Sequence, residues 1–225
     1  MSMPYYVAPE QVMKDRADYA RKGIARGRSL VALSIDNGIL IVAENPSKSL
    51  HKVSEIYDRI AFAGAGKYNE FDQLRVAGVR HADTKGYTYS REDVDARSLA
   101  NIYAQYLGQV FTHEMKPLEV EILVAEVNSS SEKDELFRIL YDGTVVDEEN
   151  FAVLGGEAED ISQALKDGWK DNLDLSGALK SAVKALEGPE RKILPTQLEV
   201  ALLDRTMSGR VFRRLEDGEV KELLS

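Results

Sequence analysis

The chain has 225 residues, of which 44% are hydrophobic, and a formal net charge of −9. This length suits one large domain or two small ones, and the acidic balance argues against a nucleic-acid surface. There is no apolar run of about 18 residues for a membrane-spanning helix, and there is no cysteine for a disulfide. The first residues, MSMPYYVAPEQ, lack the basic and apolar regions of a signal peptide, so we expect a cytoplasmic protein without a membrane partner.

The hydrophobic patterns predict strands in hairpins and helices in pairs. The strongest turn signal is Asn37-Gly38, which separates two apolar runs. Predicted strands lie at about 28–35, 39–44, 51–57, 60–65, 118–127, 135–141, 150–155, 197–204 and 210–214. Predicted helices lie at about 9–26, 67–80, 92–115, 161–169 and 175–186, with a short one in the tail.

This order differs from the strand–helix alternation of a Rossmann-type sheet. Two antiparallel sheets packed together, with a helix pair on each outer face, would cover every apolar stripe. The broadest stripe belongs to the 92–115 helix and contains Leu99, Ile102, Tyr103, Tyr106, Leu107, Val110 and Phe111. Because no linker or repeat interrupts the chain, we expect one folded domain over residues 9–225, preceded by a short segment at 1–8.

No cofactor or metal site is predicted. The Gly64–Lys67 stretch suggests a phosphate loop, but Ala61 stands where that motif needs its first glycine, and Tyr68 stands where it needs Ser or Thr. The three histidines are far apart in sequence and lack a second ligand at metal spacing.

Glu44 and Lys52 are the candidate functional pair. Glu44 ends a predicted strand, and Lys52 follows a short turn broken by Pro46. Either both side chains face one cleft, as in a catalytic apparatus, or they are two separate surface charges. The residues alone leave both interpretations open.

From Ala20 to Gly66, and in its order of elements, the chain resembles a proteasome subunit. The wording YARKGIARG and VAENPS is similar to that of actinobacterial α-type subunits of the 20S core particle. The resemblance implies an α+β fold: the four-layer αββα sandwich of N-terminal nucleophile hydrolases, with an extra N-terminal helix.

The resemblance also implies a silent catalytic site. Active β-type relatives begin their first strand with a threonine whose hydroxyl attacks and whose own amine is the base. Here the position that matches the threonine is near Arg28. Glu44 and Lys52 match the acid and the lysine that support the threonine, and Gly155-Gly156 stands in place of a Gly-Ser turn. The alternative is an active threonine- or serine-type peptidase exposed by processing near Ser29.

As an α subunit, the chain would form a heptameric ring that caps β subunits and admits unfolded, modifier-tagged protein substrates. The first eight residues would converge as a gate over the axial pore, although a frayed terminus is the other interpretation. The predicted gate residues are Met1, Ser2, Met3, Pro4, Tyr5, Tyr6, Val7 and Ala8. Pro9 and Tyr19 would support the turn that joins the gate to the first helix.

The resemblance assigns Lys52 to the docking of an ATPase activator, whose C-terminal tails enter between neighbouring α subunits. The ammonium would pair with the terminal carboxylate. Arg26, Gly27, Gly66 and Lys67 would wall this pocket. A ring that works as a scaffold without any β partner is a further alternative.

Overall fold

The computed structural model describes residues 8–128, 133–169, 173–189 and 191–225, and the predicted gate residues Met1 to Val7 lie outside this part of the chain. Six α-helices and ten strands occur within the described ranges. The helices are α1 (Pro9–Ala25), α2 (Tyr68–Thr88), α3 (Ala96–His113), α4 (Ala158–Gly168), α5 (Leu175–Glu187) and α6 (Asp217–Leu224). The strands are β1 (Leu30–Ile35), β2 (Gly38–Glu44), β3 (Val53–Tyr57), β4 (Ile60–Gly66), β5 (Val120–Glu126), β6 (Glu135–Ile139), β7 (Val145–Glu148), β8 (Phe151–Leu154), β9 (Leu198–Asp204) and β10 (Phe212–Arg214).

The strands form two antiparallel five-stranded sheets. The first has the order β10-β9-β2-β1-β8, and the second has the order β3-β4-β5-β6-β7. The predicted hairpin at Asn37-Gly38 joins β1 to β2, with Ile35 paired to Gly38. Gly38 has a φ of +139°, and a Cβ there would lie 1.8 Å from the carbonyl oxygen of Leu203. Only glycine fits this turn.

The two sheets face each other across an apolar layer. Alternate residues of each strand point into it, as the period of two requires. Many of these residues are alanines, which lets the sheets approach closely. The layer includes Leu30, Ala32, Ile39, Ile41 and Ala43 from the first sheet and Ala61, Ala63, Ala65, Leu123 and Ala125 from the second.

Helices cover the outer face of each sheet. Leu99, Tyr103 and Leu107 of α3, with Phe71 of α2, pack on the second sheet. Helices α4, α5 and α6 bury their apolar faces against the first sheet. The expected four-layer αββα arrangement is therefore confirmed.

The leading helix α1 is held by a thin contact, as its small-residue stripe predicts. Ala20 and Ile24 are its buried residues. Arg16 Nη1 donates to the carbonyl oxygen of Phe111 at 2.7 Å, and Arg21 Nε donates to the hydroxyl of Tyr141 at 3.0 Å. Two arginines thus fasten a helix whose apolar contact is small.

Two elements differ from the prediction. Helix α2 continues to Thr88 because Ala82 is buried and Gly86 leaves room for the hydroxyl of Tyr57. Strand β7 was not predicted as a separate strand. It lies at a sheet edge with no buried residue, so it has no apolar pattern to detect.

No helix in the described ranges is both long and apolar enough to cross a bilayer. The same part of the chain contains no group of His, Asp or Glu side chains arranged to hold a metal ion.

Candidate functional site

Lys52 is held at the start of β3 by a buried carboxylate and a backbone carbonyl. Its Nζ donates to the carbonyl oxygen of Arg28 at 2.6 Å. Its backbone N–H donates to Glu199 Oε2 at 2.8 Å, and the N–H of Val53 donates to Glu199 Oε1 at 3.2 Å. The acceptor of the Lys52 ammonium is thus a neutral carbonyl rather than a carboxylate.

This position alters the titration of the ammonium. Burial, which disfavours the charged form, lowers the pKa of Lys52 from 10.5 to about 8. The charges of Glu199 and Glu44 oppose that effect, whereas the charge of Arg28 adds to it. Lys52 therefore carries a positive charge that the fold has only partly compensated.

Glu44, at the end of β2, is 6% exposed. Its Oε1 accepts from Arg28 Nη1 at 2.5 Å, and its Oε2 accepts from Arg191 Nη1 at 3.1 Å. The interpretation of Glu44 and Lys52 as two separate surface charges is therefore wrong for Glu44. A buried carboxylate needs such partners, and here it has two.

Arg28 connects the two candidate residues, since its carbonyl accepts from Lys52 and its guanidinium donates to Glu44. The register of β1 and β2 explains this. The N–H of Glu44 donates to the carbonyl oxygen of Ser29 at 3.1 Å, which places Ser29 opposite Glu44 and Arg28 next to that pair. Ser29 is buried, and a Cβ on Gly155 would lie 2.8 Å from its Cα.

The glycines predicted to wall the pocket lie against each other. A Cβ on Gly27 would lie 2.8 Å from the backbone nitrogen of Gly66, and Gly66 itself has a φ of +105°. Lys67 follows, caps the start of α2, and places its Nζ 3.4 Å from Glu70 Oε1. Arg26 ends α1 with an exposed side chain.

Lys52 belongs to the same neighbourhood through β4. The N–H of Gly64 donates to the carbonyl oxygen of Lys52 at 3.1 Å. Gly66 lies two residues further along the strand, about 7 Å away. The structure thus places the Lys52 ammonium on the carbonyl of the peptide that joins Arg28 to Ser29, one residue after Gly27, which itself lies against Gly66.

Sequence comparison decides the family. A family model described as "Proteasome subunit" matches residues 24–199. A relative named "Proteasome subunit alpha" from Acidimicrobium ferrooxidans is 65% identical over 224 residues, which covers 100% of this chain and 97% of the relative. Relatives of the same name from Sanguibacter keddieii and Thermomonospora curvata are 58% and 55% identical, over 100% of this chain and 90% and 99% of their own lengths. The chain belongs to the proteasome subunit family.

The expected resemblance to actinobacterial α-type proteasome subunits is confirmed by these full-length relatives. Protein degradation by a proteolytic complex follows from the family.

The two residues predicted to support the gate turn are not brought together within one chain. Ala8 and Pro9 begin α1. Tyr19 lies ten residues later, about 15 Å along the helix. Its hydroxyl is hydrogen-bonded to the carboxylate of Glu119, which raises the pKa of the tyrosine, and the ammonium of Lys116 lies 5.4 Å from its ring centroid.

Sequence reasoning missed the charged partners of the site. Glu199 accepts from Asn45 Nδ2 at 2.7 Å and from the guanidinium of Arg214. Arg191 binds Glu44. A detectable signal existed, because Glu199 lies in the apolar run LEVALL, and a charge in such a run needs a buried partner.

Proposed function

We propose that the chain is a non-catalytic α subunit of a cytoplasmic 20S core, whose β subunits carry out the hydrolysis. In this proposal, residues 9–225 form one α-type domain and residues 1–8 form the gate. The observation that carries the proposal is the pair of hydrogen bonds that Arg28 makes to Lys52 and Glu44. The carbonyl and the guanidinium of Arg28 occupy Lys52 and Glu44, the two residues that would otherwise serve a nucleophile.

Hydrolysis of the family's type needs a hydroxyl and a free amine on one residue. Residue 28 is an arginine inside the chain, and the turn at Gly155-Gly156 has no hydroxyl. Processing before Ser29 would create the alternative, an active peptidase. It would also remove Arg28, a partner of buried Glu44, together with all of α1.

Intact-mass measurement of the mature chain separates these two functions. We expect α1 and Arg28 to be retained. A mature chain that begins at Ser29 and hydrolyses peptides without a β subunit would establish the alternative.

Assembly with β subunits is supported by the α2–α3 surface. Tyr106 is 50% exposed and Ile102 is 38% exposed, although both belong to the apolar face of α3. Beside them lies a cleft of about 270 Å³ between α2 and α3, lined by Leu74, Gly78 and Leu99. We assign this surface to the contact with the β ring. Co-expression with a β subunit should yield a stacked barrel by size, and α rings that remain free would favour the scaffold alternative.

The gate proposal rests on composition. Met1, Met3, Tyr5, Tyr6 and Val7 supply apolar side chains, and seven copies can bury them at the ring axis. Each buried side chain contributes on the order of 1–2 kcal/mol, offset by ordering entropy of similar size. The free energies of the closed and the open plug are therefore similar, so the plug can open readily. This suits the control of entry by unfolded, modifier-tagged proteins.

Docking of an ATPase activator is the proposed role of Lys52. A terminal carboxylate binds strongly to an ammonium that lacks a carboxylate partner. The close backbones of Gly27 and Gly66 allow a peptide tail to approach, and the start of α2 after Lys67 favours an anion. Arg26 caps the end of α1 directly before Gly27 and is exposed. Lys52→Ala tests this role, because it should abolish stimulation by the ATPase tail while the rings still assemble.

A further inference from the structure

The strongest unassigned feature is the guanidinium of Arg28. Its side chain is 54% exposed, although Nη1 is bound to a carboxylate that is almost fully buried. Within the described part of the chain, its only side-chain hydrogen bond is this one to Glu44. A guanidinium has five N–H donors, so Arg28 has donors beyond the one that binds Glu44.

The charges around Lys52 favour an anion. Four cations, Lys52, Arg28, Arg191 and Arg214, meet three carboxylates, Glu44, Glu199 and Glu157, which leaves one positive charge. Within the described residues, no carboxylate forms a hydrogen bond or an ion pair with the Lys52 ammonium. Lys52 is therefore the cation of this set without a carboxylate partner, and the charge of Arg28, which is near enough to lower the pKa of Lys52, adds to the positive potential there.

We propose that Arg28 is a second carboxylate-binding residue of the docking pocket and that Glu44 is the residue that positions it. This inference rests on the proposed docking function. The ligand class is a peptide with a free C-terminal carboxylate. Lys52 takes one oxygen as a point charge, and the planar guanidinium of Arg28 takes the other. Glu44, fixed by Arg191, holds one edge of that guanidinium and leaves the other edge free.

The arrangement predicts selectivity for a free chain end. A C-terminal carboxamide offers one acceptor oxygen and no charge, so it can satisfy only one of the two cations. An internal peptide segment has no charge to offer. Arg28 should therefore contribute to the preference for the acid form, whereas the walls of the pocket contribute equally to both forms.

The test uses assembled α rings and a fluorescent peptide copy of the ATPase tail, made as the free acid and as the carboxamide. Arg28→Gln should weaken binding of the acid at least about tenfold, the scale of one charge-assisted hydrogen bond, and leave the carboxamide unchanged. Arg91→Gln is the matched control, since Arg91 is also exposed and paired with an aspartate, Asp58.

Arg28→Lys is a second variant for the case that Arg28→Gln misfolds. It keeps a positive charge beside Glu44 and removes only the planar, two-pronged set of N–H donors of the guanidinium. We expect it to lose several-fold of the preference for the acid. Glu44→Gln should reduce the same preference in the wild-type background and have no further effect when Arg28 is already glutamine. If Glu44 acts only on stability, Glu44→Gln should instead weaken the binding of both peptides equally. That result would overturn the positioning role.

The outcomes separate the two proposals. If the acid binds wild type, fails to bind Lys52→Ala, and binds Arg28→Gln and Arg28→Lys as it binds wild type, Arg28 has no role and only this inference is lost. If the acid binds Lys52→Ala as tightly as wild type, the docking function itself is wrong.

Discussion

Replacing Lys52 by methionine should stabilise the fold near neutral pH while removing its docking function. Burial lowers the pKa of Lys52 from 10.5 to about 8, so the folded chain holds this charge at a cost below pH 8. Methionine fills a similar volume without the charge. The same substitution should abolish binding of an acidic peptide end.

The expected change in stability follows from the shift in the pKa of Lys52. A shift from 10.5 to about 8 corresponds to about 3 kcal/mol. Because part of the side chain reaches solvent, we expect roughly half of that. The lost hydrogen bond to the Arg28 carbonyl removes about 1 kcal/mol in the other direction. Lys52→Met should therefore gain roughly 0.5 kcal/mol near pH 7.

The pH dependence has a definite sign. Between pH 8 and 10.5 the unfolded chain binds more protons at Lys52 than the folded chain, so wild-type stability rises with pH. The advantage of Lys52→Met should shrink over this interval. Docking of a carboxylate to wild type should fall over the lower part of the same interval, because the ammonium loses its charge. One residue thus drives stability and docking in opposite directions.

Urea denaturation at fixed protein concentration measures the free energy of unfolding across this range, since ring association also contributes to stability. Lys180→Met is the matched control, because Lys180 is exposed on α5. Its stability difference from wild type should be small at every pH. A Lys52→Met chain that is less stable than wild type by an amount independent of pH would refute the desolvation argument.

Three further predictions concern the gate, the pocket and its wall. Removing residues 1–8 should speed peptide hydrolysis by the assembled barrel, and an unchanged rate would mean that they are no gate. Lys52→Ala should abolish stimulation by the ATPase tail with assembly intact, and undiminished stimulation would exclude Lys52. Gly66→Ala should lower the free energy of unfolding by about 1–3 kcal/mol, because the backbone φ of Gly66 is +105°. Gly218→Ala is the control and should not lower it, because no atom lies within 4 Å of a Cβ at Gly218. Equal effects of the two substitutions on thermal denaturation would contradict this prediction.

Most of the fold could be predicted because local patterns encode it. The Asn37-Gly38 turn, the stripe on α3 and the pairing of strands into hairpins are properties of neighbouring residues. The end of α2 was not predictable in this way. Residues 81–88 are mostly polar, and Gly86 weakens a helix. The helix continues there because Ala82 is buried and Gly86 packs against the hydroxyl of Tyr57.

The site divides in the same manner. The sequence by itself determined that Lys52 and Glu44 are present without a threonine at residue 28, and that Gly27, Gly66 and Lys67 flank the strands. Only the tertiary structure decided that Arg28 joins Lys52 to Glu44. The partners Arg28, Glu44 and Arg191 are far apart in the chain, and the register of β1 with β2 brings the first two together. A buried charge is stabilised by whichever donors the fold places beside it, and no local pattern specifies those donors.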